Sequence, residues 1–361
     1  MLHSGLIGFP STGKTTLFKL LTKTSVGAST GGRSSRATAN LGIAKVPDNR
    51  LDLLINLFKP RKQVYATVEV ADIVGNASTH NLLDVTPYRE ADALLHVVRA
   101  FHDEDVPHQA ENVDVTRDIR IMEDELILAD LEVAERRLDR IQWDIKKGLA
   151  SNLDQEAKIL RQCRTALETG TPIRSIKLDS TATKILRGFK MLSAKPLLLI
   201  INFDEQDIQR FKHATKLIDL TEVLSDAHTH IVPVCAKLEL EIGELDPNDA
   251  QAFLLNLGLQ ETSLDRVIRA AYELLGYISF FTVGQDECRA WSIPAGTVAK
   301  TAAGVIHTDL EHGFIRAEVV HYDNLINRGS LKACREHGEF RLEGKHYIIK
   351  DGDVINFRFA T

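Results

Sequence analysis

Apolar and polar residues change rhythm several times along this chain, and each rhythm predicts a different element. Residues 2–8 read as an apolar strand, whereas residues 14–23 carry Leu17, Phe18, Leu20 and Leu21 at helical spacing. Residues 25–40 are rich in Ser, Gly, Thr and Ala, include Arg33 and Arg36, and fit neither period, so they predict a loop. Strand-like runs over 41–46 and 64–71 flank a helix near 50–58, and further strands are predicted over 93–98, 196–201 and 231–234. Strands alternating with helices predict an α/β domain on a mostly parallel sheet covered on both faces.

The texture changes near residue 117. Ile127, Leu131, Ala134, Leu138, Ile141 and Ile145 recur at steps of four and three with charges between them, the seam of a coiled coil. After a bend at Gly148, Ser151 and Asn152, the positions Leu153, Ala157, Leu160, Cys163 and Leu167 repeat the pattern. Two such helices would pack as an antiparallel hairpin, either for packing alone or to bind a partner. Ser263 is placed to cap a last helix reaching residue 275. Beyond Gly276 strands are predicted over 278–283, 289–293, 314–320, 345–349 and 353–359, around a helix near 298–306. The expected division is therefore 1–116 with 190–276, then a helical insertion over 117–189, then an α+β domain over 277–361.

Composition narrows the class. The 361 residues are 44% hydrophobic and 26% charged, the balance of an ordinary globular chain long enough to bury a core. The longest purely apolar run, residues 197–201, falls far short of the ~18–20 needed to cross a bilayer. The first residues carry no leader pattern, and no membrane partner is expected. Cys163, Cys235, Cys288 and Cys334 are widely separated, which argues against a disulfide framework and points to a reducing cytoplasm. A net charge of −6 gives no global attraction for nucleic acid, so any such contact must be local, and no DNA sequence specificity is expected. Near the C-terminus Arg341, Lys345, His346 and Lys350 cluster about Tyr347, and Arg316 lies near His312 and Phe314. Cations interleaved with aromatics serve as a solvated hairpin face, or track phosphates and stack on bases.

The strongest chemical signal is Gly8-Phe9-Pro10-Ser11-Thr12-Gly13-Lys14-Thr15, which matches G-x-x-x-x-G-K-[ST] between a predicted strand and a predicted helix. Glycines let successive backbone N–H groups curl into an anion nest at a helix start, where the dipole already favours phosphate. Ser11, Thr12, Gly13, Lys14, Thr15 and Thr16 would hold the phosphates, with Lys14 on the β- and γ-groups and the Thr15 hydroxyl on Mg²⁺. Asp72-Ile73-Val74-Gly75 follows a predicted strand, so Asp72 is the candidate metal carboxylate and Gly75 a candidate γ-phosphate donor. Asn202-Phe203-Asp204-Glu205 and Cys235-Ala236-Lys237 each follow a buried strand. They resemble the Asn-Lys-x-Asp and Ser-Ala-Lys loops that flank the base in guanine-specific P-loop proteins, with Phe203 for the Lys and Glu205 for the Asp. That resemblance implies Asn202, Phe203, Glu205, Cys235 and Ala236 as candidate base-side residues.

Taken together these motifs resemble the YchF / Obg-like ATPase family, a branch of the translation-factor-related P-loop GTPases. The resemblance runs nearly end to end. It includes Val46-Pro47-Asp48, Asp72-x-x-Gly75, His96-Val97-Val98-Arg99, Asn202-x-x-Glu205, Val232-Pro233-Val234-Cys235, Arg289-Ala290-Trp291 and Lys350-Asp351-Gly352-Asp353. It implies a Ras-like P-loop NTPase domain, an inserted coiled-coil hairpin, and a C-terminal TGS domain of ubiquitin-like β-grasp type. It also implies ATP preferred over GTP through Asn-x-x-Glu, slow hydrolysis, and association with the ribosome or RNA.

The chain also departs from the family pattern. Ser11 stands for the family's phosphate-loop Asn, and Arg36 stands where its Mg²⁺-binding Thr would be, leaving that role to Ser35, to Thr38 or to neither. After Gly75 the chain carries Asn76 and a shortened segment. His108 aligns with a loop histidine of the family that is thought to hold the attacking water. Asn76 is the in-place alternative, because an amide both donates to and accepts from water. The implied function is slow Mg²⁺-dependent hydrolysis of ATP, or of GTP, by a nucleotide-dependent switch. A nucleotide-gated scaffold with negligible turnover and a GTP-specific GTPase are the other readings of the same residues.

Overall fold

The computed structural model describes residues 3–22, 38–74, 85–106, 112–147, 153–208 and 229–360. In chain order the elements run β1 (His3–Ile7), α1 (Lys14–Thr22), β2 (Thr38–Lys45), α2 (Asn49–Phe58), β3 (Lys62–Val64), β4 (Thr67–Val74), β5 (Ala93–Arg99), α3 (Val115–Lys146) and α4 (Asp154–Glu168). They continue with α5 (Ser180–Arg187), β6 (Leu197–Asn202), β7 (Thr229–Val234), α6 (Ala236–Glu244), α7 (Pro247–Asn256) and α8 (Ser263–Leu274). Next come β8 (Tyr277–Thr282), β9 (Glu287–Pro294), α9 (Ala299–Ile306), α10 (Thr308–His312), β10 (Phe314–His321), α11 (Tyr322–Arg328), α12 (Leu331–Glu336), β11 (Arg341–Glu343) and β12 (Asp353–Phe359). Two compact units result. One joins Leu2–Ile43 to Glu69–Leu274, and the other joins Ala44–Val68 to Leu275–Thr361.

The larger unit is built on a six-stranded sheet of order β2-β4-β1-β5-β6-β7. The β4-β1, β1-β5, β5-β6 and β6-β7 pairs are all parallel. β5 and β6 are buried along their whole length, which suits the apolar runs that predicted them, broken only by His96 in β5. On one face Ile7, Leu94, Val98, Leu199 and Ile201 pack against Ile119, Met122 and Leu126 from the start of α3. Farther along α3, Ile127, Ala134, Leu138 and Ile141 pack with Ala157, Leu160, Cys163 and Leu167 of α4. This burial follows the spacing read from the sequence, except that Ile145 is 45% exposed. Arg137 Nε donates to Glu156 Oε1 at 2.6 Å across the same pair of helices. Asp130, fully buried on α3, accepts from the backbone N–H groups of Leu192 and Ser193, the Ser193 hydroxyl and Arg89.

The smaller unit has its own sheet, of order β11-β10-β12-β8-β9-β3, and its own core around Phe280, Ile293, Val319, Ile355 and Phe357. Arg50 on α2 donates to Asp48 and to Asp351, and its guanidinium lies 5.3 Å from the Phe281 ring centroid.

Several expectations are corrected. The strand expected over 64–71 is two strands, because β3 pairs with β9 while β4 pairs with β1. That break moves Ala44–Val68, expected in the first domain, into the unit with the C-terminal residues. Residues 345–349 form no strand; Ile348 makes only an isolated bridge to Val298. The α8 cap is Thr262, whose hydroxyl accepts from the Asp265 N–H, while the Ser263 N–H donates to Glu239.

Candidate functional site

The loop between β1 and α1 is shaped by backbone that only some residues tolerate. Gly8 has φ 151° and Gly13 φ 96°, and Ser11 adopts φ 60°. A Cβ on Gly8 would lie 2.4 Å from Val97 O, and one on Gly13 would lie 2.6 Å from Asn202 Nδ2. Both glycines are therefore fixed by close approach as well as by dihedral angle. Thr12 Oγ1 donates to Phe9 O at 3.1 Å, closing the bend from inside. Leu17 N donates to Gly13 O at 2.9 Å, so the amides ahead of it leave the helix start without helical acceptors.

Lys14 points back along this loop. Its Nζ donates to Gly8 O at 2.7 Å and to Phe9 O at 2.6 Å. Burial pushes its pKa down to about 8, against the opposing pull of the Asp72 carboxylate. Thr15 Oγ1 donates to Asp72 Oδ2 at 3.1 Å. Asp72 is 2% exposed and lies two residues inside the end of β4, in register with Leu6 of β1, and not at the strand's last position. A hydroxyl and a carboxylate side by side are hard oxygen donors. They fit Mg²⁺, which takes one or two protein oxygens and fills its remaining positions with phosphate and water.

Asn202 closes the arrangement from β6. Its Nδ2 donates to Thr12 O at 3.1 Å, and its Oδ1 accepts from the Ala236 N–H at 3.0 Å. One amide thus ties the phosphate-type loop to the loops after β6 and β7. Glu205 Oε1 lies 2.9 Å from Lys237 Nζ, an ion pair that the sequence reading did not anticipate. The opposite charges in the two flanking loops were its only signal. Phe203 and Cys235 belong to the core around Leu238 and Ile242, so their side chains face inward from the two base-side loops. Ser11 and Thr15 are exposed, and Thr16 is half-buried.

The structure therefore brings Ser11, Thr12, Gly13, Lys14, Thr15, Asp72, Asn202 and Ala236 to one end of the sheet, with Glu205 alongside. Gly75, Asn76 and His108 lie outside the described residues, as does the side chain of Thr38, which opens β2. Arg99, named in the sequence only as part of the His96-Val97-Val98-Arg99 resemblance and given no role there, is 2% exposed. It donates to Phe101 O at 3.1 Å, Val106 O at 2.9 Å and Asp103 O at 3.3 Å.

Known proteins match nearly the whole chain. Residues 277–360 match the family model YchF-GTPase_C, described as "Protein of unknown function (DUF933)". The chain is 38% identical over 369 residues to the "Ribosome-binding ATPase YchF" of Bacillus subtilis (strain 168), covering 99% of each. It is 40% identical over 365 residues to the protein of the same name from Pasteurella multocida, covering 98% of each. Among solved structures it resembles that of the Schizosaccharomyces pombe YchF GTPase, with TM-score 0.86 and 30% identity. That match covers 99% of this chain and 97% of the other.

Proposed function

Since the chain belongs to the YchF family, we propose that it is a slow, Mg²⁺-dependent P-loop ATPase acting as a nucleotide-dependent switch at the ribosome. The observation that carries this reading is the convergence of Lys14, Thr15, Asp72 and Asn202 on one glycine-shaped loop at a helix start. The relatives' names, ribosome-binding ATPase, support the substrate and the partner. The four free cysteines agree with a reducing cytoplasm as its place of work.

In this reading the amides at the start of α1 bind the β- and γ-phosphates, and Lys14 exchanges its two carbonyl acceptors for phosphate oxygens. Thr15 and Asp72 hold the metal, which when bound neutralises charge that develops on the phosphate oxygens. Asn202 fixes the distance between the phosphate loop and the base-side loops. The attacking water is assigned to His108 or Asn76. Most of the rate in phosphoryl transfer comes from positioning and charge, so a water held loosely by one side chain gives slow turnover.

The domain reading follows the same family. Residues 117–189 would be a coiled-coil arm, supported by the α3–α4 packing. Residues 277–361 would be a TGS-type β-grasp domain, supported by the family match. Residues 1–116 and 190–276 would be the Ras-like nucleotide domain, apart from Ala44–Val68.

Phosphate release from ATP by the full chain, compared with its Lys14→Ala variant, tests the activity. Turnover in the wild type that the variant lacks is the expected result. Equal release from both would favour the nucleotide-gated scaffold, a reading that the altered switch segments, with Arg36 and Asn76, favour. Competition of ATP and GTP for a fluorescent nucleotide tests the base. Displacement by GTP at concentrations where ATP fails would make the protein a GTPase.

A further inference from the structure

At the amino ends of β5 and β6 the larger unit holds a cavity of about 1320 Å³. Its walls are residues 89–92 ahead of β5, the turn Ile173–Ser175 with the residues that follow it, the end of α5, and residues 190–196 leading into β6. Asn202, which touches the loop before α1, stands at the opposite end of β6, about 17 Å from Leu197 at ~3.3 Å per residue. The cavity is therefore separate from that loop. Six cations and two carboxylates line it. Three of the cations are spoken for: Arg89 is paired with Asp130, Arg174 with Glu123, and Lys190 with the lining carboxylate Glu90. Lys177, Arg187 and Lys195 form no ion pair among the described residues. Against these three stands only Asp92, which accepts from the His3 N–H at 3.0 Å, so two positive charges remain in excess.

We propose that this cavity binds a small oligophosphate, an anion with two or more adjacent phosphate groups, through Lys177, Arg187 and Lys195. The half-buried Lys195 Nζ donates to Arg89 O at 2.9 Å and to Ala91 O, which leaves one of its three hydrogens for a ligand. Burial lowers its pKa, a cost that an anion placed beside it would offset. Arg187 adds a planar fork that matches two phosphate oxygens, and Lys177 adds a point charge. Adjacent phosphates carry at least two negative charges over several oxygens, which answers both the excess charge and the number of donors. The buried Leu186 and Met191 line the same space, and their apolar surface strengthens each charge contact. A cavity walled by four segments takes a compact anion, whereas a nucleic-acid backbone is tracked along an open groove.

Calorimetric titration of tripolyphosphate at low ionic strength, into the full chain carrying Lys14→Ala and into that chain with Lys177→Ala/Arg187→Ala added, tests the proposal. Lys14→Ala weakens the loop before α1, so the binding that remains belongs to the cavity. Removing the two exposed cations, which costs the fold little, should weaken that binding about tenfold, the scale of one charge-assisted hydrogen bond. Citrate should bind less tightly than tripolyphosphate. Tighter binding of ADP than of tripolyphosphate at this site would support an organic carrier of the phosphates, and the reverse order an inorganic chain. No binding to the Lys14→Ala chain, binding that ignores the two added changes, or a preference for citrate or for a single-stranded RNA oligonucleotide would overturn the proposal. Lys177→Ala/Arg187→Ala alone should leave Mg²⁺-ATP affinity unchanged, and a parallel fall would overturn the separate site. A Lys14→Ala change without effect on Mg²⁺-ATP would instead overturn the reading of the loop.

Discussion

His96 shows what full burial does to a single titratable side chain. It is 1% exposed on β5, its Nε2 has no hydrogen-bond partner among the described residues, and burial pushes its pKa down to about 3. Lys14 and Arg174 add to that shift. Unfolding returns the imidazole to about 6.5, so between those values the unfolded chain binds more protons than the folded one. Stability should therefore fall as pH drops below about 6.5, by up to about 1.4 kcal/mol per pH unit from this group. Urea unfolding of the His96→Leu variant should show a flatter slope than wild type between about pH 4 and 6.5. An identical slope would mean that the histidine does not carry the effect. Other residues were readable in advance. Lys14, Thr15 and the two glycines were legible because their chemistry is written in eight consecutive positions. The inward turn of Phe203 and Cys235 was not, since it depends on which face of each strand end meets α6.

Among the elements, α3 is tied by one carboxylate to the segments that precede β5 and β6. Asp130, itself 0% exposed, receives two backbone N–H groups, a hydroxyl and the part-buried Arg89 guanidinium. Asp130→Ala leaves those donors unmatched and should cost about 3–5 kcal/mol, the range for breaking a buried ion pair. Chemical denaturation of the variant checks this, and a loss below about 1 kcal/mol would show that water replaces the carboxylate. The seam from Ile127 to Ile141 was legible because its period is local and its partner helix follows within a few residues. The separation of β3 from β4 was not. Only Tyr65 and Ala66 lie between them, and what divides the strands is the distant β9, which takes β3 as its parallel neighbour. Residues 345–349 carry a strand-like pattern, yet β10 already has β11 and β12 on its two sides. The segment is left with one bridge.

At the scale of the whole molecule, chain order and structural grouping part company. Ala44–Val68 belongs with Leu275–Thr361, and within that unit Arg50 donates to Asp351, which itself accepts from the Ser279 N–H at 2.9 Å. If the two segments form one cooperative unit, Arg50→Ala should speed amide exchange in β8 as well as in α2. Exchange that quickens only around residue 50 would show that they open independently. The proposed activity requires the loop from Gly8 to Thr15 to bind a triphosphate. Its most direct test is calorimetric titration of Mg²⁺-ATP into the full chain and into Lys14→Ala. Loss of the Lys14 contacts should weaken binding by about a hundredfold, the scale of two hydrogen bonds to a charged group. Equal affinity in the two proteins would contradict it.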